Sequence, residues 1–253
     1  MPLRVLILGG TTEASALCRV LAGDERFAPT LSLAGRTRAP ALPPVDCRIG
    51  GFGGARGLAA YLVATATDAV IDAVHPYAVH MSHHAVTAAA SAGVALLALR
   101  RPAWTPVEGD QWTVVPDLPA ACRAIGTLPR RVFLTVGRQE LAPFRDAPWH
   151  RYVIRSVDAP SPDDLPPDSL VITARGPFDV VAERALLAAH GIDVIVTKNA
   201  GGDAVRAKLD AARALGVAVI MTARPAKPPA EVVATADAAL QWLIARHRSL
   251  RGA

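Results

Sequence analysis

The sequence predicts an α/β protein built from two doubly wound parallel sheets, and three observations lead to this class. Short apolar runs alternate with helical patterns along the whole chain, as βαβ units require. The chain has 253 residues, which is enough for one large or two modest domains. Its composition, 51% hydrophobic and 19% charged, excludes a disordered protein.

Five apolar runs in the first half have the length of buried strands, and segments between them show helical periodicity. The predicted strands are 4–8, 30–33, 47–49, 69–74 and 94–99. The predicted helices lie near 12–22, 55–66 and 78–92. The first half therefore forms one sheet with its covering helices.

The second half repeats this pattern with six runs. The predicted strands are 113–115, 132–136, 152–156, 170–173, 193–197 and 217–222. The predicted helices lie near 117–126, 178–190, 203–215 and 235–248. An apolar strand ends at Arg100-Arg101-Pro102, before a turn-rich stretch, so we predict domains over 1–101 and 102–253.

The charge balance favours an acidic small ligand. The chain carries 27 Lys and Arg against 22 Asp and Glu, and only three of its cations are lysines. Guanidinium groups bind carboxylates and phosphates through paired hydrogen bonds. A nucleic-acid binder would show basic clusters interleaved with aromatic residues, and the sequence has none.

The cysteines and apolar stretches predict a cytoplasmic protein. Cys18, Cys47 and Cys122 lie far apart with no histidine at a metal-ligand spacing, so we interpret them as reduced core thiols. The apolar run before Gly9 is too short for a signal peptide, and the stretch 85–99 is too short for a membrane span. We expect a monomer with neither a membrane nor a nucleic-acid partner.

The first strand runs directly into a glycine turn and a helix, which is where a Rossmann-like domain binds phosphate. The dinucleotide fingerprint G-x-G-x-x-G/A is matched at Gly9 and Ala14 but has Thr11 in place of its second glycine. The alternative is a tight turn in which Thr11 or Thr12 caps the helix. The candidate cofactor-binding residues here are Gly9, Gly10, Thr11, Thr12 and Glu13.

The end of the second strand indicates which dinucleotide would bind. An NAD-binding domain places Asp or Glu there for the ribose 2′-hydroxyl, and this chain has no acid at that point. It has Arg36 and Arg38, which suit the 2′-phosphate of NADPH; the alternative is that both are solvated loop charges. Gly35, Arg36 and Thr37 are the candidates in this turn.

Two further loops of the first half contain candidates. The turn 50–54 holds four glycines, which either let the backbone approach a ligand, through Gly51 and Gly53, or only reverse the chain. After the fourth strand, His75 and Tyr77 could exchange protons or stack on a nicotinamide; the alternative is ordinary packing at a helix start.

No metal site is predicted. His80, His83 and His84 have spacings that suit a metal, but no carboxylate accompanies them on their helix and no H-E-x-x-H pattern exists. We interpret the three histidines as surface or core residues.

In the second half, polar and cationic residues follow strand after strand, and parallel strands end at one edge of a sheet. We predict that these residues bind substrate, although each of them could be a helix cap or a loop charge. The candidates are Arg138, Lys198, Asn199, Gly201, Gly202 and Arg224.

Hydrolase motifs are absent: the sequence has no G-x-S-x-G and no cysteine with an evident histidine partner. Hydride transfer needs neither, because the cofactor carries the chemistry. A short-chain dehydrogenase or epimerase would need Tyr-x-x-x-Lys, and no tyrosine has that partner. A non-catalytic NADPH sensor would not explain ligand-type loops on a second sheet.

Several segments in order resemble the precorrin-6A reductases of cobalamin biosynthesis. In the first half they are I-L-G-G-T-T-E-A (7–14), L-A-G-R-T (33–37), G-G-F-G-G (50–54), D-A-V-H-P-Y-A (72–78) and R-R-P-A-W (100–104). In the second half they are L-T-V-G-R-Q (134–139), R-G-P-F (175–178), T-K-N-A-G-G (197–202) and A-K-L-D-A-A-R (207–213).

The resemblance implies NADPH-dependent reduction of one double bond of the precorrin-6A macrocycle to give precorrin-6B. It also implies two α/β domains with the active site in the cleft between them. Domain 1–101 would bind NADPH, and domain 102–253 would bind the polycarboxylate tetrapyrrole-derived substrate. The resemblance does not identify a proton donor. The substrate could take its proton from solvent or from its own carboxylate, and among the side chains His75, Tyr77 and Lys198 are the candidate catalytic residues.

Overall fold

The computed structural model describes residues 1–35 and 40–252. The strands of this part of the chain are β1 (Leu3–Leu8), β2 (Phe27–Leu33), β3 (Asp46–Ile49), β4 (Ala69–Asp72), β5 (Ala95–Leu99), β6 (Trp112–Val115), β7 (Arg131–Thr135), β8 (Arg151–Ser156), β9 (Ser169–Thr173), β10 (Val194–Lys198), β11 (Ala218–Thr222) and β12 (Glu231–Val233). Its helices are α1 (Thr12–Leu21), α2 (Gly54–Ala64), α3 (Val79–Ala92), α4 (Leu118–Ile125), α5 (Ala142–Arg145), α6 (Val180–Ala189), α7 (Ala207–Leu215) and α8 (Ala236–Arg251).

The chain forms two compact units, each with a six-stranded parallel sheet. The first unit contains Met1–Pro102 and Pro225–Ala253, and the second contains Ala103–Arg224. The strand orders are β12-β5-β4-β1-β2-β3 and β6-β11-β10-β7-β8-β9. The predicted α/β class with two doubly wound parallel sheets is confirmed.

The first unit is built around β1, which is buried on both faces. Val5 and Ile7 point into a cluster that includes Leu17 of α1 and Leu243 of α8. Leu6 and Leu8 point the other way, into a cluster with α2 and α3. The alternation follows from the two-residue period of a strand, and helices must therefore cover both faces.

The second unit has the same plan around β7. Val132 and Leu134 pack against a cluster with α4, and Phe133 packs against a cluster with α6 and α7. Each sheet contains five strands in the order third, second, first, fourth, fifth. Each is then extended by a sixth parallel strand, β12 beside β5 and β6 beside β11.

The compact units differ from the predicted ranges 1–101 and 102–253 at the carboxyl-terminal end. Residues 225–253 belong to the first unit, because Val233 of β12 pairs with Leu99 of β5 and α8 packs beside α1. β12 has only three residues, which is too short for a recognisable apolar run. The prediction that α8 belongs to the second domain, which followed from its position in the chain, is therefore wrong. The functional roles of the two domains stay predictions.

Most predicted elements lie within a few residues of the observed ones, and two shifts matter for the site. β4 ends at Asp72 rather than at Val74, and Lys198 is the last residue of β10 rather than a loop residue. Within the described residues, no helix combines the length and the apolar character that crossing a bilayer requires.

Removal of the Leu243 side chain tests the assignment of α8 to the first core. Leu243 is fully buried, so Leu243→Ala should lower the free energy of unfolding by about 2–5 kcal/mol. Leu250→Ala, on the same helix at a half-exposed position, is the control and should cost under about 1 kcal/mol. Urea denaturation measures both; a change below about 1 kcal/mol for Leu243→Ala would contradict the packing.

Candidate functional site

The sheet topology places most of the predicted site residues at two switch points. In open parallel sheets, ligands bind beyond the carboxyl ends of the strands where the strand order reverses. This reversal lies between β1 and β4 in the first unit and between β7 and β10 in the second. The loops after these four strands hold the candidates of 9–11, 75–77, 138 and 199–202, and Thr12 and Glu13 begin α1.

The two glycines after β1 serve different purposes. A Cβ at Gly9 would overlap Cδ1 of Leu31, so this glycine allows close packing against β2. Gly10 has φ of +111°, which favours glycine, and a Cβ there would meet no heavy atom within 4 Å. The backbone at Gly10 is therefore open to a ligand.

Thr11 caps helix α1 and joins the two loops of the first switch point. Its hydroxyl oxygen accepts a hydrogen bond from the Ala14 N–H (3.2 Å), and its hydroxyl donates to the Ala73 carbonyl (2.8 Å). The capping interpretation is confirmed for Thr11, and it explains why threonine replaces the second glycine of the fingerprint. A cap at this position leaves the cofactor interpretation open.

Glu13 forms an ion pair with Arg101, which lies at the predicted domain boundary and in the segment R-R-P-A-W. The Arg101 guanidinium lies 2.7 Å from Oε2 of Glu13, and the two side chains are 12% and 19% exposed. Thr12 donates to the other carboxylate oxygen (3.1 Å). The Glu13 charge at the α1 N-terminus is thus balanced by the Arg101 cation.

The loop 50–54 is braced by Arg48, which no motif singled out. Its guanidinium donates to the Gly50 and Gly51 carbonyls (both 3.1 Å) and to Oγ of Ser32 (2.9 Å). It also stacks 3.8 Å from the ring centroid of Phe52. Arg48 and Ser32 are register partners in β3 and β2, so a cation stands at the end of β2 where an NAD-binding domain carries an acid.

The remaining cofactor candidates follow β2 or β3 in the chain. Gly35 has φ of +75°, and Gly53 has φ of +77° and stands at the N-cap of α2. Gly51 carries one of the carbonyls that Arg48 binds. Arg36 and Thr37 lie outside the described residues, as does Arg38.

His75 and Tyr77 are neighbours at the start of α3. The Tyr77 N–H donates to Nδ1 of His75 (3.3 Å), and the two ring centroids lie 5.7 Å apart. Both side chains are half-buried. Because Nδ1 accepts a hydrogen bond, the neutral His75 ring carries its proton on Nε2. The packing and the proton-exchange interpretations are both compatible with this geometry.

In the second unit, Lys198 is ion-paired with Glu140, a residue absent from the predictions. Oε2 of Glu140 accepts from the Lys198 ammonium and from the Gly137 N–H (2.9 Å). Glu140 lies in the loop after β7, which also contains the half-buried Arg138. The pair therefore joins the loop after β7 to the end of β10 at the second switch point.

Hydrogen bonds with Trp104 and Arg224 fix the shape of the loop 199–202. The Asn199 side chain exchanges two hydrogen bonds with the Trp104 backbone (2.8 and 3.0 Å), and the Trp104 indole donates to the Gly202 carbonyl (3.0 Å). Arg224 donates to the carbonyls of Asn199 (2.8 Å) and Ala200 (2.9 Å). Gly201 and Gly202 have positive φ, so the chain turns sharply here. These contacts of Asn199 and Arg224 shape the loop; a role in binding substrate stays a prediction.

A buried charged cluster lies beside this loop. Lys208 is 3% exposed; its ammonium donates to the Val205 carbonyl (2.7 Å) and lies 5.0 Å from the Trp104 ring centroid. Burial lowers the pKa of Lys208 to about 7; Arg155 acts in the same direction, and Glu183 opposes it. Arg155 and Glu183 form a buried ion pair through the two terminal guanidinium nitrogens and both carboxylate oxygens.

The predicted absence of a metal site stays a prediction. Over 1–35 and 40–252, no group of three or more His, Cys, Asp or Glu side chains is arranged to hold a metal ion. His80 and His83 are exposed and His84 is half-buried on α3.

Comparisons with known proteins agree on one family. The model of "Precorrin-6x reductase CbiJ/CobK" matches residues 4–244. A precorrin-6A reductase of Rhodobacter capsulatus is 48% identical over 98% of this chain and 99% of its own, and one of a Sinorhizobium species is 51% identical over 95% and 94%. A solved structure of a CobK precorrin-6A reductase is 49% identical with a TM-score of 0.92, covering 97% of both chains.

Lys208 makes the stability of the protein depend on pH. Its folded-state pKa of about 7 lies below the ordinary value of 10.5, so between these values the unfolded chain binds more protons. The contribution of Lys208 to the free energy of unfolding therefore rises with pH across that window, by about 1.4 kcal/mol per pKa unit at most.

Lys208→Met removes this titration. Urea denaturation of both proteins at several pH values should show wild-type stability increasing, relative to the variant, from pH 7 upward. Parallel stability curves for wild type and variant would contradict the lowered pKa.

Proposed function

Since this chain belongs to the CbiJ/CobK family of precorrin-6x reductases, we propose that it catalyses the NADPH-dependent reduction of one double bond of precorrin-6A to give precorrin-6B. It is an oxidoreductase that acts on a CH–CH bond in cobalamin biosynthesis. The observation that supports the proposal most is the extent of the match, which runs through both units.

The first switch point suits a nicotinamide cofactor, which when bound supplies the hydride. The open backbone at Gly10 and the N-terminus of α1 offer N–H groups to a pyrophosphate. Thr11 holds the loop in place through Ala73, and Arg101 neutralises the Glu13 charge that would otherwise repel a phosphate. These are the residues that would bind the phosphates.

The preference for NADPH rests on cations at the end of β2. Arg48 lies beside Ser32, where an acid would repel a 2′-phosphate and a guanidinium attracts it. Arg36 follows in the sequence and would add a second positive charge. Gly51 and Gly53 would let the backbone of the braced loop approach the adenosine side of the cofactor.

The second unit would bind the substrate, whose acetate and propionate groups require cations and N–H donors. The loops after β7 and β10 carry Arg138, Lys198 and the sharply turned Gly201-Gly202. The reduction adds a hydride to one ring carbon and a proton elsewhere. His75, through Nε2, and Tyr77, through its hydroxyl, are the first-unit groups that could deliver that proton.

An assay of NADPH oxidation with purified precorrin-6A tests the function. The absorbance of NADPH should fall only when precorrin-6A is present, and mass spectrometry should show a product heavier by two hydrogen atoms. Oxidation without precorrin-6A, or consumption of NADPH without that product, would contradict the proposal.

Cofactor preference should depend on Arg36 and Arg48. Each charge-assisted contact with the 2′-phosphate is worth ~1.5–3 kcal/mol, so Arg36→Ala and Arg48→Gln should each weaken NADPH binding by about 10- to 100-fold. NADH binding should change little. Titration of both cofactors measures this, with Arg19→Gln at an exposed position of α1 as the control. An unchanged preference in either variant would exclude that arginine from the role.

A further inference from the structure

The structure assigns to Glu140 the role of a positioning residue: it holds the Lys198 ammonium at the switch point of the second sheet. Because Gly137 has no side chain, the Glu140 carboxylate can lie beside the Gly137 backbone and contact Lys198. The inference rests on the proposed function and on Lys198 being, as the sequence predicts, both a substrate contact and one of the candidate catalytic residues. Glu140 itself acts through Lys198.

The sheet brings the three residues together. β7 and β10 are adjacent and parallel, with Thr135 opposite Thr197, so Lys198 lies level with the start of the loop after β7. Glu140 belongs to that loop, and its Oε2 accepts from both the Lys198 ammonium and the Gly137 N–H. One carboxylate oxygen thus ties the end of β10 to the loop of β7.

Gly137 leaves the space that the Glu140 carboxylate occupies. Its φ lies outside the left-handed region, so its backbone conformation is open to any residue. A Cβ there would overlap Oε2 of Glu140 and lie 3.3 Å from Cδ of the same side chain. The absence of a side chain at this position therefore makes room for the carboxylate.

The ion pair restricts an otherwise flexible group. The Lys198 side chain is 15% exposed, and a lysine has up to about 2 kcal/mol of rotamer entropy to lose when it is ordered. Glu140 is 37% exposed, so the carboxylate end of the pair is in contact with solvent. Lys198 is thereby ordered before the substrate arrives.

Removal of the Glu140 charge distinguishes a Glu140 that positions Lys198 from a Glu140 that only repels the substrate. The pair is neutral overall, and the expected substrate is a polycarboxylate that the Glu140 charge repels. If Lys198 only attracted substrate carboxylates, loss of the Glu140 charge would tighten substrate binding. If Glu140 positions Lys198, loss of the carboxylate instead lowers kcat, and KM for the substrate does not rise.

Two variants remove the contact by different means. Glu140→Gln removes the charge, and Gly137→Ala displaces the carboxylate while leaving it in the protein. Glu108→Gln, at an exposed position of the same unit, is the control. Both test variants should lower kcat for precorrin-6A reduction about 10- to 100-fold, with KM for precorrin-6A unchanged or lower and the NADPH dissociation constant unchanged.

Lysine NMR gives a readout that needs no substrate. The chain has only Lys198, Lys208 and Lys227, so protein labelled with 13C-lysine has three sets of side-chain signals, and Lys198→Arg identifies the first. The Lys198 Cε and Hε signals should shift in Glu140→Gln and in Gly137→Ala but not in the control. The Lys208 signals should stay in place and report an intact fold.

The outcomes that overturn the inference differ from one another. Unmoved Lys198 signals would show that the contact is absent in solution. Moved signals with an unchanged kcat would show that the contact is structural only, and a lower KM with an unchanged kcat would show that Glu140 only repels the substrate. A wild-type protein that does not reduce precorrin-6A would overturn the proposed function and this role with it, whereas the other outcomes require an active wild type.

Discussion

Each unit of this protein depends on one constraint, the burial of its central strand on both faces. β1 and β7 are apolar along most of their length, so neither face can be left to water and helices must cover both. Parallel strands with crossover helices then follow, and all carboxyl ends of a sheet lie at the same edge. Loops that are distant in the chain meet there, which is why the candidate residues cluster at the switch points.

At each switch point a side chain connects the segments that follow two neighbouring strands. In the first unit the Thr11 hydroxyl donates to the Ala73 carbonyl and joins two loops, and in the second unit the Glu140 carboxylate joins the loop after β7 to Lys198 at the end of β10. Gly137 leaves the space that the Glu140 carboxylate occupies. The same topology thus supports a neutral hydrogen bond at one switch point and an ion pair at the other.

The arginine excess has a partly structural explanation. Arg48 and Arg224 each donate two hydrogen bonds to backbone carbonyls of loops at a sheet edge. Arg155 is buried in an ion pair with Glu183. Such side chains fix loop shape through their fork of donors, which lysine does not offer. Composition counts charges but does not show which of them are already engaged. The charge balance therefore favoured an anionic ligand but did not show which arginines would bind it.

The sequence by itself determined the fold class, the positions of most strands and helices, the glycine loop at Gly9-Gly10 and the family, because apolar periodicity and short motifs are local properties. The tertiary structure decided the rest. It placed residues 225–253 in the first unit, since a three-residue strand is recognisable only beside its partner β5. It also showed Arg48 beside Ser32 and Glu140 beside Lys198. Those contacts join separate strands and loops, and only the pairing of strands in a sheet brings such residues within hydrogen-bonding distance.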